Sequence, residues 1–203
     1  MTSGEGARRG RGRPRRPDAE DKILAAVLDE YGEHGWSGFT MDGVARRAGV
    51  GKSTVYLRWP DKDSLLTEAV THRGLELTAV DTGSLEGDLV QLATNLLRHF
   101  HTPPGWASLR VTFDAASAPE RLGSFAEAIS EVHERQTHLA CRRAIERGEM
   151  RADVPAGAVV EAIYGSAIVN ALSERLQGRS DSTDVIEAHA RQIAALVLRG
   201  IAT

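Results

Sequence analysis

The most concentrated chemistry in the chain lies in Gly49-Val50-Gly51-Lys52-Ser53-Thr54. Glycines that let a backbone come close, one ammonium and two hydroxyls suit an anion or the edge of a base. A nucleotide-phosphate loop of the type Gly-x-x-x-x-Gly-Lys-Ser/Thr uses the same letters. It needs a further Gly at position 46, where Arg46 stands, and a preceding strand, where the pattern is helical. Reading of base edges by the start of a helix needs neither. Lys reaches guanine O6 and N7, Ser and Thr bond several edges, and the Thr methyl meets that of thymine. Around this stretch, residues 40–62 hold Arg46, Arg47, Lys52, Arg58 and Lys62 against Asp42 and Asp61.

A second basic cluster opens the chain. Residues 1–17 carry six Arg and one Glu, a segment charge of +5 within a formal net charge of −3, so the remainder carries −8. A basic arm on an acidic body points to a polyanion met at one end; a solvated tail is the plainer reading. Arg11-Gly12-Arg13-Pro14 resembles the core of an AT-hook, whose extended arginines suit the narrow, negative minor groove of A·T-rich DNA.

The elements that must position these groups read as helices. Ile23, Ala26, Val27 and Tyr31 trace one face of a helix from Asp18 to about Gly35, broken only by Glu30. Thr40 is placed to cap a short helix through Val44, Ala45 and Ala48, with Asp42 in its first turn. Position 43, where a capping box wants an acid, is Gly. Gly49 ends that helix, a second short one runs from near Gly51 to Leu57 or Arg58, and Trp59-Pro60 ends it. Asp61 caps a longer one through Val70. Two short helices joined by a glycine-containing turn give a helix-turn-helix within residues 18–75. Val44, Ala45, Ala48, Val55, Trp59 and Leu66 are expected between its helices.

The run from Phe39 to Leu66 closely resembles the DNA-binding domain of the tetracycline-repressor (TetR) family. The shared features are a capping Thr, an Ala-Gly-Val turn, the recognition sequence Lys-Ser-Thr-Val-Tyr, and a Lys opening the fourth helix. The sequence departs from the common pattern at Gly51, where Ser is frequent, at Ser53, where Gly is frequent, and at Trp59-Pro60. The resemblance implies phosphate contacts from Thr40, Tyr56 and Lys62. Together with the groove chemistry, the expected DNA set is Arg11, Arg13, Thr40, Arg46, Gly51, Lys52, Ser53, Thr54, Tyr56 and Lys62. Tyr56 has a second reading as a core tyrosine with a wet hydroxyl, and one of Arg46 and Arg47 as a solvated face.

Residues 76–203 stay helical, with apolar faces over 84–100, 106–116, 119–145, 156–177 and 184–201 and a break at Pro103-Pro104-Gly105. The expected fold is therefore all-α: a disordered arm over 1–17, a DNA-binding domain over 18–75 and a larger helical domain over 76–203. The resemblance implies that this larger domain binds a small-molecule effector and forms a homodimer through its last two helices. Polar or aromatic residues on its apolar helices are the pocket candidates: His99, Phe100, Trp106, Phe113, His133, Gln136, Tyr164 and Asn170.

Other classes fit less well. One cysteine, Cys141, excludes an internal disulfide framework and a Cys-only metal site. His99 and His101, and His133 and His138, lie at spacings that do not share a helix face. No catalytic set such as Gly-x-Ser-x-Gly occurs, so neither an enzyme nor a bound cofactor is expected. There is no run of 18 apolar residues and no apolar stretch behind the N-terminal charges, so a cytoplasmic location is expected. The reading is a sequence-specific transcriptional regulator, most simply a repressor released from a palindromic operator by a small molecule. An architectural protein with a non-specific basic arm is the alternative.

Overall fold

The computed structural model describes residues 17–73, 80–117, 119–178 and 183–202; the side chains of 17–18, 71, 73, 119–126, 128–130 and 132–134 lie outside that description. The described residues form helices α1 (Pro17–Gly38), α2 (Met41–Ala48), α3 (Lys52–Tyr56), α4 (Lys62–Arg73), α5 (Leu85–His101), α6 (Pro103–Ser117), α7 (Pro119–Glu146), α8 (Ala156–Gln177) and α9 (Thr183–Ile201). A single bridge between Met150 and Ala202 is their one piece of extended pairing.

Local chemistry sets the helix ends. Regular helix in α1 stops at Gly35, whose φ of 63° is open to glycine at little cost, and the Arg110 guanidinium fills the space a Cβ would need. Thr40 caps α2 by accepting from the Gly43 N–H at 3.0 Å. Gly49, at φ 67°, closes α2 in the left-handed conformation. Asp61 accepts from the Ser64 N–H at 2.8 Å and so caps α4. One boundary differs from the sequence reading: Pro103-Pro104-Gly105 opens α6 instead of preceding it. Thr102 caps that helix by accepting from the Gly105 N–H at 3.1 Å, and proline is at home in a first turn, where its missing N–H is not needed.

Two large apolar cores result, beside a small cluster of Val80, Leu92 and Ala140. The first joins α1–α4 through Val27, Leu28, Tyr31, Val44, Val55, Trp59, Leu65 and Leu66; Ala48 packs against it half-buried. The second joins α5, α7, α8 and α9 through Leu89, Leu96, Phe100, Ile163, Ala167 and Ala190. Cys141 is buried in it, and burial pushes its thiol up. Helix α6 belongs to both: Ala107, Val111 and Ala115, four residues apart, complete the first, while Leu109 points into the second.

Polar contacts edge the seam between α1 and α6. The buried Tyr31 hydroxyl donates to Asp114 Oδ2 at 2.5 Å, and Arg110 Nη1 donates to the Gly32 carbonyl at 3.0 Å. Burial first, then the hydrogen bond to Asp114 and its charge, raise the Tyr31 phenol well above its ordinary value. Folding therefore holds Tyr31 neutral while an unfolded tyrosine ionises near pH 10. The resulting stability is complete below about pH 10 and is lost as pH rises above it. Thermal melts from about pH 9 to about pH 11 should show this alkaline loss in the wild type and a flatter slope in Tyr31→Phe. Equal slopes would remove Tyr31 as its source.

Candidate nucleic-acid interface

The face built by α2 and α3 rests on a buried carboxylate. Glu30, the one polar interruption in the apolar stripe of α1, is 2% exposed. It accepts from Arg47 Nε at 3.0 Å, and Arg47 also pairs with Glu33. A Cβ at Gly43 would run into the Glu30 carboxylate, so the acid absent from the α2 capping pattern is excluded by one arriving from α1. Arg47 is thereby committed to the fold, and Arg46 stands exposed on the outer side of α2.

Helix α3 turns Val55 into the core and leaves Lys52, Ser53, Thr54, Tyr56 and Leu57 exposed. Gly51, in an extended conformation at φ −68° and ψ 143°, is its N-terminal flank and is also exposed. Lys52 Nζ donates to Asp42 Oδ2, and the half-exposed Tyr56 donates to Asp42 Oδ1 at 3.4 Å. The Lys52 hydrogen bond holds the Asp42 carboxyl below the usual range, and the same contact raises Lys52. At the edge of this face Lys62 donates to the Trp36 carbonyl at 3.2 Å and lies 4.0 Å from the centre of the Trp36 ring. That leaves N–H groups of an ammonium with three donors for an anion. Arg58 pairs with Glu20 and Glu68, and the Trp59 Nε1–H donates to Glu68 Oε2 at 2.8 Å.

The structure thus brings Thr40, Arg46, Gly51, Lys52, Ser53, Thr54, Tyr56 and Lys62 onto the α2–α3 turn and its margins. Arg11 and Arg13 lie outside the described residues, as does the His133 side chain. The remaining effector candidates are spread over four helices. Phe100 is buried in the second core, and the His99 ring lies 5.5 Å from it, with Nε2 3.4 Å from Ser108 Oγ. Trp106 lies under Arg175 at 4.1 Å, Phe113 is 48% exposed on α6, and Gln136 and Tyr164 are half-buried on α7 and α8. Asn170 on α8 lies between His101, 3.3 Å away, and His189, 3.2 Å away, and lines an open groove of about 720 Å³ between α8 and α9. Sequence reasoning passed over Trp36, Arg110 and Asp114, and took Glu30, Asp42 and Leu57 only as pattern elements.

Two short helices in this register, a glycine turn and an exposed donor-rich second helix define a helix-turn-helix DNA-binding protein. Residues 23–69 match the model of the bacterial regulatory proteins of the tetR family, and residues 79–197 that of the tetracyclin repressor-like C-terminal domain. The chain belongs to the TetR family of bacterial transcriptional regulators.

Among similar proteins is the HTH-type transcriptional regulator YdeS of Bacillus subtilis, 29% identical over 157 residues that span 76% of this chain and 79% of that one. AqdR of Rhodococcus erythropolis, another such regulator, is 34% identical over 135 residues, covering 66% of this chain and 63% of AqdR. The fold is shared with a TetR regulator from Chloroflexus aurantiacus (TM-score 0.74, 14% identity, 91% of this chain and 96% of that chain). It is shared also with FadR from Bacillus subtilis, solved in complex with stearoyl-CoA (TM-score 0.72, 14% identity, 89% and 98%).

The Asp42 carboxylate holds Lys52 and would repel a phosphate brought to this face. Asp42→Asn should therefore tighten binding to every duplex several-fold at fixed salt, read by fluorescence anisotropy. Unchanged or weaker binding would place Lys52 away from the DNA.

Proposed function

We propose that this transcriptional regulator is a repressor that binds a palindromic operator as a homodimer and leaves it when a small molecule occupies the larger domain. The observation that carries this reading is α6, whose one face completes the core beneath the recognition helix and whose other enters the second core. A rearrangement around α6 in the second core therefore reaches α1 directly. Release by an effector requires that it bind one arrangement more tightly than the other, and operator DNA then weakens effector binding by the same factor.

On the DNA side, Lys52, Ser53 and Thr54 face base edges from the flank Gly51, and Thr40, Arg46, Tyr56 and Lys62 hold phosphates that set register. Arg11 and Arg13 follow the adjacent minor groove. Such a protein works in the cytoplasm, where its operator is. The effector pocket draws on His99, Phe100, Trp106, Phe113, His133, Gln136, Tyr164 and Asn170; the acyl-CoA held by FadR in the same fold makes long apolar acyl compounds the first class to screen.

The dimer forms through α8 and α9. Helix α8 is long and apolar enough by composition to cross a membrane, and only 28% of its most apolar window is buried within the monomer. Ile163, Ala167 and Ala171 pack inward, whereas Val169, Leu176 and, on α9, Leu196 are exposed at 62%, 87% and 73%. The groove between the helices continues this apolar surface, which two copies would cover in a four-helix arrangement.

Selection from a randomised duplex pool should enrich an inverted repeat with half-sites about 34–36 Å apart, centre to centre. Lys52→Ala should weaken that operator by about 1–3 kcal/mol at one base position per half-site. Retained protein with no enriched sequence would favour the architectural reading. In sedimentation, Leu196→Glu should convert dimer to monomer and abolish the inverted-repeat preference; a dimer that persists would move the interface elsewhere.

A further inference from the structure

Leu57 is 87% exposed at the end of the recognition helix, and a lone exposed leucine says little by itself. Its register says more. Leu57 keeps helical geometry at φ −69° and ψ −23°, and its N–H donates to the Ser53 carbonyl at 3.0 Å, so it continues α3 by one residue. At 3.6 residues per turn, Ser53 and Leu57 each lie about 160° around the helix from the buried Val55, while Thr54 and Tyr56 lie about 100° to either side. Leu57 and Ser53 therefore form the crest of the outward face, one turn apart, with Thr54 and Tyr56 on its flanks and Lys52, about 60° from Val55, lower on the Tyr56 side.

This crest is the part of α3 that enters deepest when the helix lies in a major groove. Phosphates line the groove's walls, and a leucine side chain can bond neither them nor a base's polar edge. The apolar group that a base pair displays on the groove floor is the C5 methyl of thymine. We infer that Leu57 is a specificity-determining residue that reads a thymine methyl in each half-site of the operator, next to the base that Ser53 faces. The inference rests on the proposed DNA-binding reading and adds, one turn beyond Ser53, a thymine-methyl contact separate from the one open to the Thr54 methyl.

Replacing thymine by deoxyuridine removes that methyl and leaves the hydrogen-bonding edge intact. Each thymine of the selected operator is to be replaced in turn, symmetrically in both half-sites, and affinity measured for the wild type, Leu57→Ala and Leu57→Gln. Loss of a buried methyl corresponds to about fourfold per half-site. The wild type should lose about 15-fold for the symmetric pair at one thymine position. Leu57→Ala should bind the thymine and deoxyuridine operators equally at that position and keep its response to substitution at the base facing Lys52. If the wild type binds the operator specifically but no thymine shows a Leu57-dependent loss, the inference is overturned and the DNA-binding reading stands. If Leu57→Ala weakens all duplexes alike, Leu57 touches sugars and the inference is again overturned. If no duplex is preferred by the wild type, the parent reading fails first, and this one with it. Circular dichroism melts of the variants separate loss of folding from loss of reading.

Discussion

Everything above the DNA-binding helices depends on the packing of α6 against α1. Three small apolar residues, Ala107, Val111 and Ala115, are the wall that closes the first core, and Leu109 roots the same helix in the second. Polar contacts hold the seam in register: Tyr31 donates to Asp114, and Arg110 reaches the Gly32 carbonyl while its guanidinium occupies the space beside Gly35. The end of α1 is thus fixed by a residue 75 positions away in sequence. The two family matches meet between residues 69 and 79, yet the packing does not divide there. Residues 17–73 on their own leave Tyr31 and its neighbours without a lid, an apolar loss that a unit of this size has little surplus to absorb.

Electrostatics organise the reading face from beneath. Glu30 is a charge taken out of water, an arrangement that costs desolvation and is tolerated when well-placed donors meet the carboxylate. Arg47 Nε supplies one at 3.0 Å, His34 Nε2 stands 3.9 Å from the other oxygen, and Gly43 leaves the space. What this arrangement secures is orientation: α2 can approach α1 only in the register that brings Gly43 over Glu30, and α3 follows through the Gly49 turn.

Much of this was legible in the residues. Thr40, Gly49 and Asp61 marked helix ends because capping needs particular side chains or a left-handed backbone, and these are local demands. The spacing of Val44, Val55, Trp59 and Leu66 gave the first core for the same reason. Pro103-Pro104 was misjudged as a break because proline stops a helix from behind and starts one from in front, and only the Thr102 cap decides which. The division of labour between Arg46 and Arg47 was undecidable without knowing that Glu30 points at one of them. Asp114 and Arg110 gave no signal, since their partners are nearly eighty or more residues away. The effector candidates were drawn from helix faces alone, and faces do not say which helices enclose a cavity.

On the proposed DNA-binding reading, Lys52 comes to DNA with a counterion already in hand. As the protein diffuses along a chromosome, most of what it encounters is phosphate in the wrong sequence, and such DNA must first displace the Asp42 carboxylate to engage this lysine. Lys52 would then lend little of its charge to idle sticking, and non-specific sites would hold the protein less firmly than a bare lysine would. On that reading affinity would be traded for mobility: fewer molecules would be sequestered on irrelevant DNA, and the search for an operator would be shortened.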